Sequence, residues 1–143
     1  MNEGYGSHLI TKPELIADIV KQTRNRIPQI DYSISVKIRI LEDPRATVDL
    51  CQSAEAAGIS ALTVHARTPT ERHQPVHTDM FSLISSSVGI PVMANGDITS
   101  LSEGRSLAAQ TGMTGLMSAR GILHNPALFR GDSETPIECI KDW

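Results

Sequence analysis

The chain has 143 residues, of which 40% are hydrophobic and 20% are charged, and its net charge is −3 at pH 7. This composition is ordinary for a folded globular protein, argues against disorder, and gives no sign of strong autonomous nucleic-acid binding. No apolar run approaches the roughly 18 residues of a membrane span, and residues 1–4 do not open a secretion signal. We therefore expect a cytoplasmic protein, although a mitochondrial or nuclear location would also fit.

Helix and strand signals alternate from the start of the chain. Thr11-Lys12-Pro13-Glu14 has the form of a capping box, and the apolar spacing after it predicts a helix over about residues 12–27. Residues 34–40 alternate strictly between β-branched and polar side chains, which predicts a strand with one polar face. Asp43-Pro44 is a cap followed by a first-turn proline, and it predicts a second helix that ends at Gly58.

The same alternation continues to residue 119. Ser100-Leu101-Ser102-Glu103 is a second capping box, whose helix is predicted to end near Gly112. The other predicted elements are a strand over residues 59–65, a helix over 78–88, a strand over 90–94 and a strand over 115–119.

The strands recur at a regular interval along the chain. Comparable strand positions are separated by 27, 29 and 24 residues, at Val36, Thr63, Val92 and Leu116. This interval is close to the roughly 31 residues per βα unit of a (β/α)8 barrel. Right-handed βαβ crossovers make the strands parallel, in either an open doubly wound sheet or a barrel. The polar face of residues 34–40 favours the barrel, because central strands of open sheets are usually apolar on both faces.

Four strands cannot close a barrel, and the pattern opens with a helix that no strand precedes. The sequence therefore predicts an α/β fold that is a partial (β/α)8 TIM barrel, with residues 1–130 as the C-terminal half. Residues 131–143 are predicted to be a linker or the start of a truncated C-terminal element, because turn-forming residues begin there.

Polar groups end all four predicted strands, where parallel α/β folds place their sites. Asn95-Gly96-Asp97 can bring backbone N–H groups and an amide to an anion, or it can be an ordinary strand-to-helix turn. Arg120 follows one βα unit later, in Ala119-Arg120-Gly121, and can pair with a phosphate through two donors. Because the last two strand loops of a barrel often bind phosphate, the two segments together predict a phosphate site.

Two further strand-end residues are candidates for contacting a cofactor. Lys37 is expected to face the barrel interior, where it needs an internal salt bridge, an electron-rich cofactor or a role as a Schiff-base lysine. His65 could hydrogen-bond a cofactor ring or phosphate, or be a core histidine whose hydrogen bonds are satisfied within the protein. Cys51 and Cys139 have no disulfide or zinc spacing, and we expect no metal site; Cys51 also lies on a helix far from the strand ends.

At these positions the chain resembles the flavin-dependent tRNA-dihydrouridine synthases. The resemblance covers about residues 3–131, and residues 71–77 are most similar to the eukaryotic dihydrouridine synthase 4-like branch. The shared motifs, in family order, are Glu3-Gly4-Tyr5-Gly6, Ser35-Val36-Lys37-Ile38-Arg39, Thr63-Val64-His65-Ala66-Arg67-Thr68, residues 90–98 around Asn95-Gly96-Asp97, and Ala119-Arg120-Gly121 with Asn125-Pro126.

The resemblance implies an FMN-dependent enzyme that reduces uridine in tRNA to dihydrouridine, with NADPH as the reductant. Arg39, Arg67 and Arg72 are expected to contact the substrate. The loop residues Arg67, Arg72 and His73 could touch RNA phosphates or form a solvated rim. The residues implied to hold FMN are Lys37, His65, Asn95, Gly96, Asp97, Ala119 and Arg120.

The chain departs from the family pattern in three ways. The family's catalytic cysteine lies upstream of the segment that matches residues 3–6, so no catalytic residue is assigned here. Ala66 replaces a usual glycine, and the family's helical tRNA-binding domain would follow Trp143. We therefore expect a fragment or short isoform with a partial FMN site and impaired turnover. The alternatives are a non-catalytic product that binds partners, or aggregates, through an exposed strand edge, and a phosphate-binding barrel lyase that uses Lys37.

Overall fold

The computed structural model describes residues 6–141, so most of the motif at residues 3–6 lies outside the described part of the chain. Within the described range the structure has four strands, β1 Ser35–Arg39, β2 Ala61–His65, β3 Val92–Asn95 and β4 Gly115–Met117. The helices are α1 Pro13–Arg26, α2 Pro44–Ala56, α3 Thr78–Ser87, α4 Leu101–Thr111, α5 Arg120–His124 and α6 Ile137–Lys141, with 3-10 helices at Gly6–Thr11 and Leu128–Arg130.

The four strands form one parallel sheet in the order β1-β2-β3-β4. Helices α1 to α4 form a single layer, in which α2 contacts α1 and α3, and α3 contacts α4. A doubly wound sheet would carry helices on both faces. The one-sided helix layer therefore confirms the barrel-type arrangement of parallel strands and helices that the sequence predicts.

The strand register sorts the side chains onto two faces of the sheet. Val36, Ile38 and Val64 belong to or pack against the apolar core under the helices. On the other face, two rows of aligned residues cross the sheet. They are Lys37, Thr63, Met93 and Gly115, and then Arg39, His65, Asn95 and Met117.

The core lies between the sheet and its helix layer. Leu50 on α2 and both Phe81 and Ile84 on α3 are almost fully buried, as are Leu62 and Val64 on β2. The strands are short and apolar on this side, so the helices supply much of the buried volume. The packed layer holds the strand ends in fixed relative positions.

Two of the predicted helix starts are confirmed by their hydrogen bonds. The Asp43 carboxylate accepts from the Arg45 N–H at 2.9 Å, and the Ser100 hydroxyl accepts from the Glu103 N–H at 3.2 Å. Helix α4 ends as predicted at Gly112, whose φ of 72° is left-handed.

The capping box predicted at Thr11 is wrong. Thr11 ends the 3-10 helix Gly6–Thr11, and its hydroxyl donates to the His8 carbonyl at 2.9 Å instead of accepting from α1. Helix α1 begins at Pro13 without any side-chain cap. The proline needs no N–H partner at that position, so the helix starts there without help from a threonine.

The segment after residue 130 contains the short helix α6. The Arg130 Nε donates to the Asp132 carboxylate, and the Asn125 amide donates to the Asp132 carbonyl at 2.7 Å. The Thr135 hydroxyl donates to the His124 carbonyl at 2.9 Å. These bonds attach the segment to the end of α5 and to the residues that follow it. Among residues 6–141, no helix combines the length and the apolar character needed to cross a bilayer.

Candidate functional site

A cavity of about 500 Å³ opens at the carboxyl ends of the four strands. It is lined by nine of the ten residues that the sequence singles out, and Lys37 is the exception. The nine are Arg39, His65, Arg67, Arg72, Asn95, Gly96, Asp97, Ala119 and Arg120. Residues separated by up to 81 positions in the chain thus meet in one place because parallel strands end at the same edge.

One residue from each strand contributes to the cavity wall. Arg39, His65, Asn95 and Met117 are aligned neighbours across the sheet, and all four line the cavity. The buried Asn95 amide donates to the Met117 carbonyl at 2.8 Å, so one of its hydrogens joins β3 to β4. Asn95 therefore helps to fix the wall of the site, besides facing it.

The turn after β3 requires glycine. Gly96 has φ 123°, and a Cβ placed there would lie 2.5 Å from Val76 Cγ1 and 3.0 Å from His65 Cδ2. The next residue, Asp97, is also left-handed, with φ 51°. The backbone of this turn therefore packs directly against the His65 ring and the loop that follows β2.

Asp97 is shared by two arginines. Its Oδ2 accepts from Arg67 Nη2, and its Oδ1 accepts from Arg120 Nη2 at 3.1 Å. The Arg120 side chain is 65% exposed, whereas that of Arg67 is only 4% exposed. The carboxylate thus connects a buried cation to one that opens onto the cavity.

Arg67 is buried, unlike a residue on a solvated rim. Besides the pair with Asp97, its Nε donates to the Gln74 carbonyl and its Nη1 lies 3.4 Å from His65 Nε2. Arg72 and His73, by contrast, are exposed on the loop between β2 and α3. Of the three arginines expected to contact RNA, Arg67 is the one whose surface is hidden.

That loop is fastened to the first strand and to itself. Arg39 Nη1 donates to the Thr68 carbonyl at 2.8 Å and to the Glu71 carbonyl at 3.3 Å. The Glu71 carboxylate accepts from the Thr68 N–H and lies 2.8 Å from His77 Nε2, and these two hydrogen bonds hold the pKa of Glu71 below its usual value. Arg39 therefore anchors the loop as well as lining the cavity.

The cavity is positively charged. Its lining contains the guanidinium groups of Arg39, Arg67, Arg72 and Arg120 and a single carboxylate, that of Asp97. Burial, and then the charges of Arg39, Lys37 and Arg67, lower the pKa of His65 to about 4, against a smaller opposing effect of Asp97. His65 is therefore neutral at pH 7, and the excess positive charge suits an anionic ligand.

Lys37 lies on the same face of the sheet, one row below Arg39, but it borders a separate depression of about 270 Å³ with residues of the first 3-10 helix and α1. Burial, followed by repulsion from Arg39, lowers the pKa of its ammonium group. Within residues 6–141 it forms no salt bridge, so the interior ion pair considered from the sequence is not present there.

The cysteines are placed away from the cavity. Cys51 is fully buried on α2, and burial raises the pKa of its thiol to about 12, so it is no candidate for a nucleophile or a proton donor. Nowhere in the described part of the chain do three His, Cys, Asp or Glu side chains converge to hold a metal ion.

Some residues of the cavity wall were missed by sequence reasoning. His124 is exposed, yet it also lines the cavity. Met117 could have been found from the sheet, since it is the β4 residue aligned with Asn95. Ile98 and Thr99 carry no chemical signal of their own and enter the wall because they follow the Gly96-Asp97 turn.

A parallel sheet with helices on one face, and a cationic cavity at its strand ends, is the arrangement of part of a (β/α)8-barrel protein. The chain belongs to the dihydrouridine synthase family, whose sequence model matches residues 1–142. This match confirms the resemblance that the motifs carry.

Relatives of the family match the whole chain. It is 56% identical over 143 residues to the human "tRNA-dihydrouridine(20a/20b) synthase [NAD(P)+]-like" protein, covering 100% of this chain and 45% of the relative. It is 41% identical to the Schizosaccharomyces pombe "tRNA-dihydrouridine(20a/20b) synthase [NAD(P)+]", covering 99% and 43%. The chain thus spans less than half the length of these curated relatives.

Solved structures share the fold at low sequence identity. A Pseudomonas aeruginosa protein described as a dihydrodipicolinate synthetase superposes with a TM-score of 0.60 at 16% identity, over 84% of this chain and 44% of its own. The Amycolatopsis orientalis BexX/CysO complex gives 0.57 at 18% identity, over 85% and 46%. These likenesses support the partial barrel and say nothing of function.

Proposed function

We propose that this chain supplies the FMN-binding part of a tRNA-dihydrouridine synthase, which reduces uridine in tRNA to dihydrouridine with NAD(P)H as the reductant. The observation that carries the proposal is the cationic cavity, because it unites nine of the predicted site residues in a chain of this family. The names of the human and yeast relatives state a tRNA substrate and NAD(P)+ for those proteins, and we extend both to this one.

The cavity fits the phosphate end of FMN. Its volume of about 500 Å³ lies within the range of about 300–1,000 Å³ that is typical of small-molecule sites. Arg120 is 65% exposed on the cavity wall, and the Gly96 turn brings its backbone against the His65 ring beside it. The one carboxylate nearby, Asp97, is compensated by two arginines, so its repulsion of a phosphate dianion is weakened.

The part of the cavity next to β1 and β2, at the other end of the sheet from Arg120, suits the flavin ring. A bound FMN, once reduced by NAD(P)H, would supply the hydride for the uracil ring. His65 is neutral and can hydrogen-bond a ring or phosphate oxygen. Lys37 and Arg39 bring positive charge to the same face of β1, where we place the pyrimidine edge of the cofactor. Arg72 is exposed on the rim and is suited to an RNA phosphate.

The proton donor is not supplied by either cysteine of this sequence. Cys51 is buried away from the cavity, and Cys139 belongs to α6 and does not line the cavity either. As the resemblance implies, we place the family's catalytic cysteine outside this chain. General acid catalysis contributes about 10²–10⁴-fold to a reaction rate, so turnover by these residues alone should be low even where FMN binds.

Flavin release tests the proposal. We expect the purified 143-residue chain to bind FMN and to release its absorbance on denaturation. Arg120→Met should weaken FMN binding about tenfold, since a charge-assisted bond to phosphate is lost. Arg105→Met, which removes a charge from the exposed side of α4, should leave binding unchanged. A folded, colourless protein that takes up no added FMN would contradict the proposal, and borohydride trapping of a carbonyl substrate on Lys37 would favour the lyase alternative.

A further inference from the structure

We propose that Arg67 is a positioning residue of the anion site: it holds Asp97, and Asp97 in turn orients Arg120 toward the bound phosphate group. The inference rests on the proposed function, because it takes the phosphate of FMN as the anion. Arg67 itself is only 3% exposed, so it has little surface with which to contact a ligand. Its influence must pass through the groups that it touches.

The first step is the need of a buried cation for a counterion. An unpaired guanidinium under the cavity would be costly, and the carboxylate that pairs with Arg67 is Asp97, through Oδ2. The Arg67 Nε donates to the Gln74 carbonyl, and this hydrogen bond fixes the plane of the guanidinium group. Arg67 is thereby held from two sides and presents Nη2 to Asp97 in one direction.

The second step passes from Asp97 to Arg120. Because Oδ2 is taken by Arg67, Oδ1 is the oxygen left for Arg120, and the pair forms at 3.1 Å. Arg120 is otherwise a long side chain with its head largely in solvent. One fixed hydrogen bond to Asp97 lowers the number of orientations it samples and leaves its other N–H groups for the cavity.

Asp97 is better placed to hold a cation than to bind the ligand directly. A carboxylate carries no donor at neutral pH and repels a phosphate dianion. It also sits in a left-handed conformation that a non-glycine residue adopts at a cost, and the two ion pairs help to keep it there. The backbone conformation of the turn at Asp97 and the orientation of Arg120 therefore both depend on the ion pairs of Asp97.

A second contact of Arg67 reaches His65. Since a guanidinium group can only donate, its approach to Nε2 at 3.4 Å favours the tautomer in which that nitrogen is unprotonated. Neutral His65 then carries its proton on Nδ1. Arg67 thus selects one tautomer of a residue that we place beside the cofactor.

The experiment compares FMN with riboflavin, which lacks the phosphate, on the full 143-residue chain. Arg67→Met and Asp97→Asn should each lower FMN affinity about tenfold and change riboflavin affinity less than about twofold. The double variant should lose little more than either single variant, because both remove the same interaction. Arg105→Met is the charge-matched control and should keep the wild-type ratio of FMN to riboflavin affinity.

The sign of the Asp97→Asn effect separates positioning from simple charge. If Asp97 only opposed the phosphate, removing its charge would strengthen FMN binding; an equal or higher affinity therefore overturns the inference. Additive losses in the double variant also overturn it. Asp97→Asn keeps an amide oxygen that can accept from the buried Arg67 but leaves no second oxygen for Arg120, so it decides the matter even where Arg67→Met fails to fold.

Nitrogen NMR reports the tautomer of His65, which should not change if Arg67 only stabilised the fold. In the wild-type chain we expect the Nδ1-protonated tautomer, and in Arg67→Met a shift toward the Nε2-protonated form; an unchanged tautomer counts against the inference. Failure of the wild-type chain to bind either flavin overturns the proposed function and this inference with it. FMN binding with unaltered variant ratios overturns the inference alone.

Discussion

At the scale of single residues, His65 shows how strongly the cavity disfavours added positive charge. Its ring lies among three cationic side chains and one carboxylate, and burial is the largest of the effects that lower its pKa to about 4. A neutral imidazole can both donate and accept, whereas an imidazolium could only donate. The site therefore keeps a two-way hydrogen-bonding group at pH 7.

This lowered pKa predicts a pH dependence of stability. The unfolded chain binds a proton at His65 below about pH 6.5, whereas the folded chain does so only near pH 4. The unfolding free energy should therefore fall as the pH is lowered from about 6.5 toward 4. Denaturant titrations at pH 7, 6 and 5 measure it, and NMR should show His65 still neutral at pH 5.

His65→Asn should flatten this dependence, and His73→Asn, which removes an exposed loop histidine, should not. The titrations stop at pH 5 because Glu71, with its pKa held low by the Thr68 N–H and by His77, loses its stabilising charge at lower pH. A slope that is the same in the wild type and in His65→Asn would show that the ring is not buried as described.

The sequence singled out most residues that line the cavity but not how they are connected. Strand-end position and side-chain type were enough to select Arg39, His65, Asn95 and Arg120. The burial of Arg67 was not predictable, because its counterion Asp97 lies 30 residues away and on another strand loop. Whether an arginine next to a strand end is exposed depends on a pairing that no local pattern encodes.

At the scale of the secondary structure elements, the two capping boxes had opposite outcomes. Ser100 caps α4 through a hydroxyl that accepts from the third residue of the helix, whereas Thr11 donates to a carbonyl in a 3-10 helix. The same four-residue pattern thus occurs with and without a cap. A proline two residues after Thr11 starts α1 by itself, and this leaves the threonine free for the preceding turn.

Because one hydroxyl caps a helix and the other does not, alanine substitutions at the two positions should lower the unfolding free energy by different amounts. Ser100→Ala should lower the unfolding free energy by about 1 kcal/mol, because the Glu103 N–H loses its acceptor. Thr11→Ala should lower it by less than about 0.5 kcal/mol, since an exposed hydroxyl that donates locally is removed. Urea unfolding of both variants measures the two values, and equal losses would contradict the structural assignment.

The short helices α5 and α6 were not predicted, and their size explains why. Each has five residues, and α5 begins at Arg120, after Ala119, without a side-chain cap. Such segments offer too few positions for a helical period to be recognised. By contrast, the strict alternation of residues 34–40 and the apolar runs of the later strands gave all four strands to within a few residues.

At the scale of the whole molecule, stability depends on one apolar layer between the sheet and its helices. The opposite face carries the cavity and much of the polar chemistry. The two faces therefore have different tasks, and substitutions on them should have different consequences: loss of folding stability on the helix side and loss of ligand affinity on the other.

Two phenylalanines provide a matched comparison for this division. Phe81 is fully buried on α3, and Phe81→Ala should cost about 3–5 kcal/mol of unfolding free energy through lost contacts and a residual cavity. Phe129 is 42% exposed, and Phe129→Ala should cost less than about 1 kcal/mol. Thermal or denaturant unfolding measures the loss of unfolding free energy in each variant. Comparable losses would contradict the position of the core between the sheet and its helices.

The aligned row of Arg39, His65, Asn95 and Met117 also determines where the chain tolerates insertions and deletions. Successive strand residues point to opposite faces, so deleting one residue inside β1 would turn Ile38 or Ile40 toward the cavity and Arg39 toward the core. Insertions in the exposed segment between α1 and β1, at the other end of the strands, leave the row and the cavity loops intact. We therefore expect natural length variation among relatives to collect in the loops and to avoid the strands.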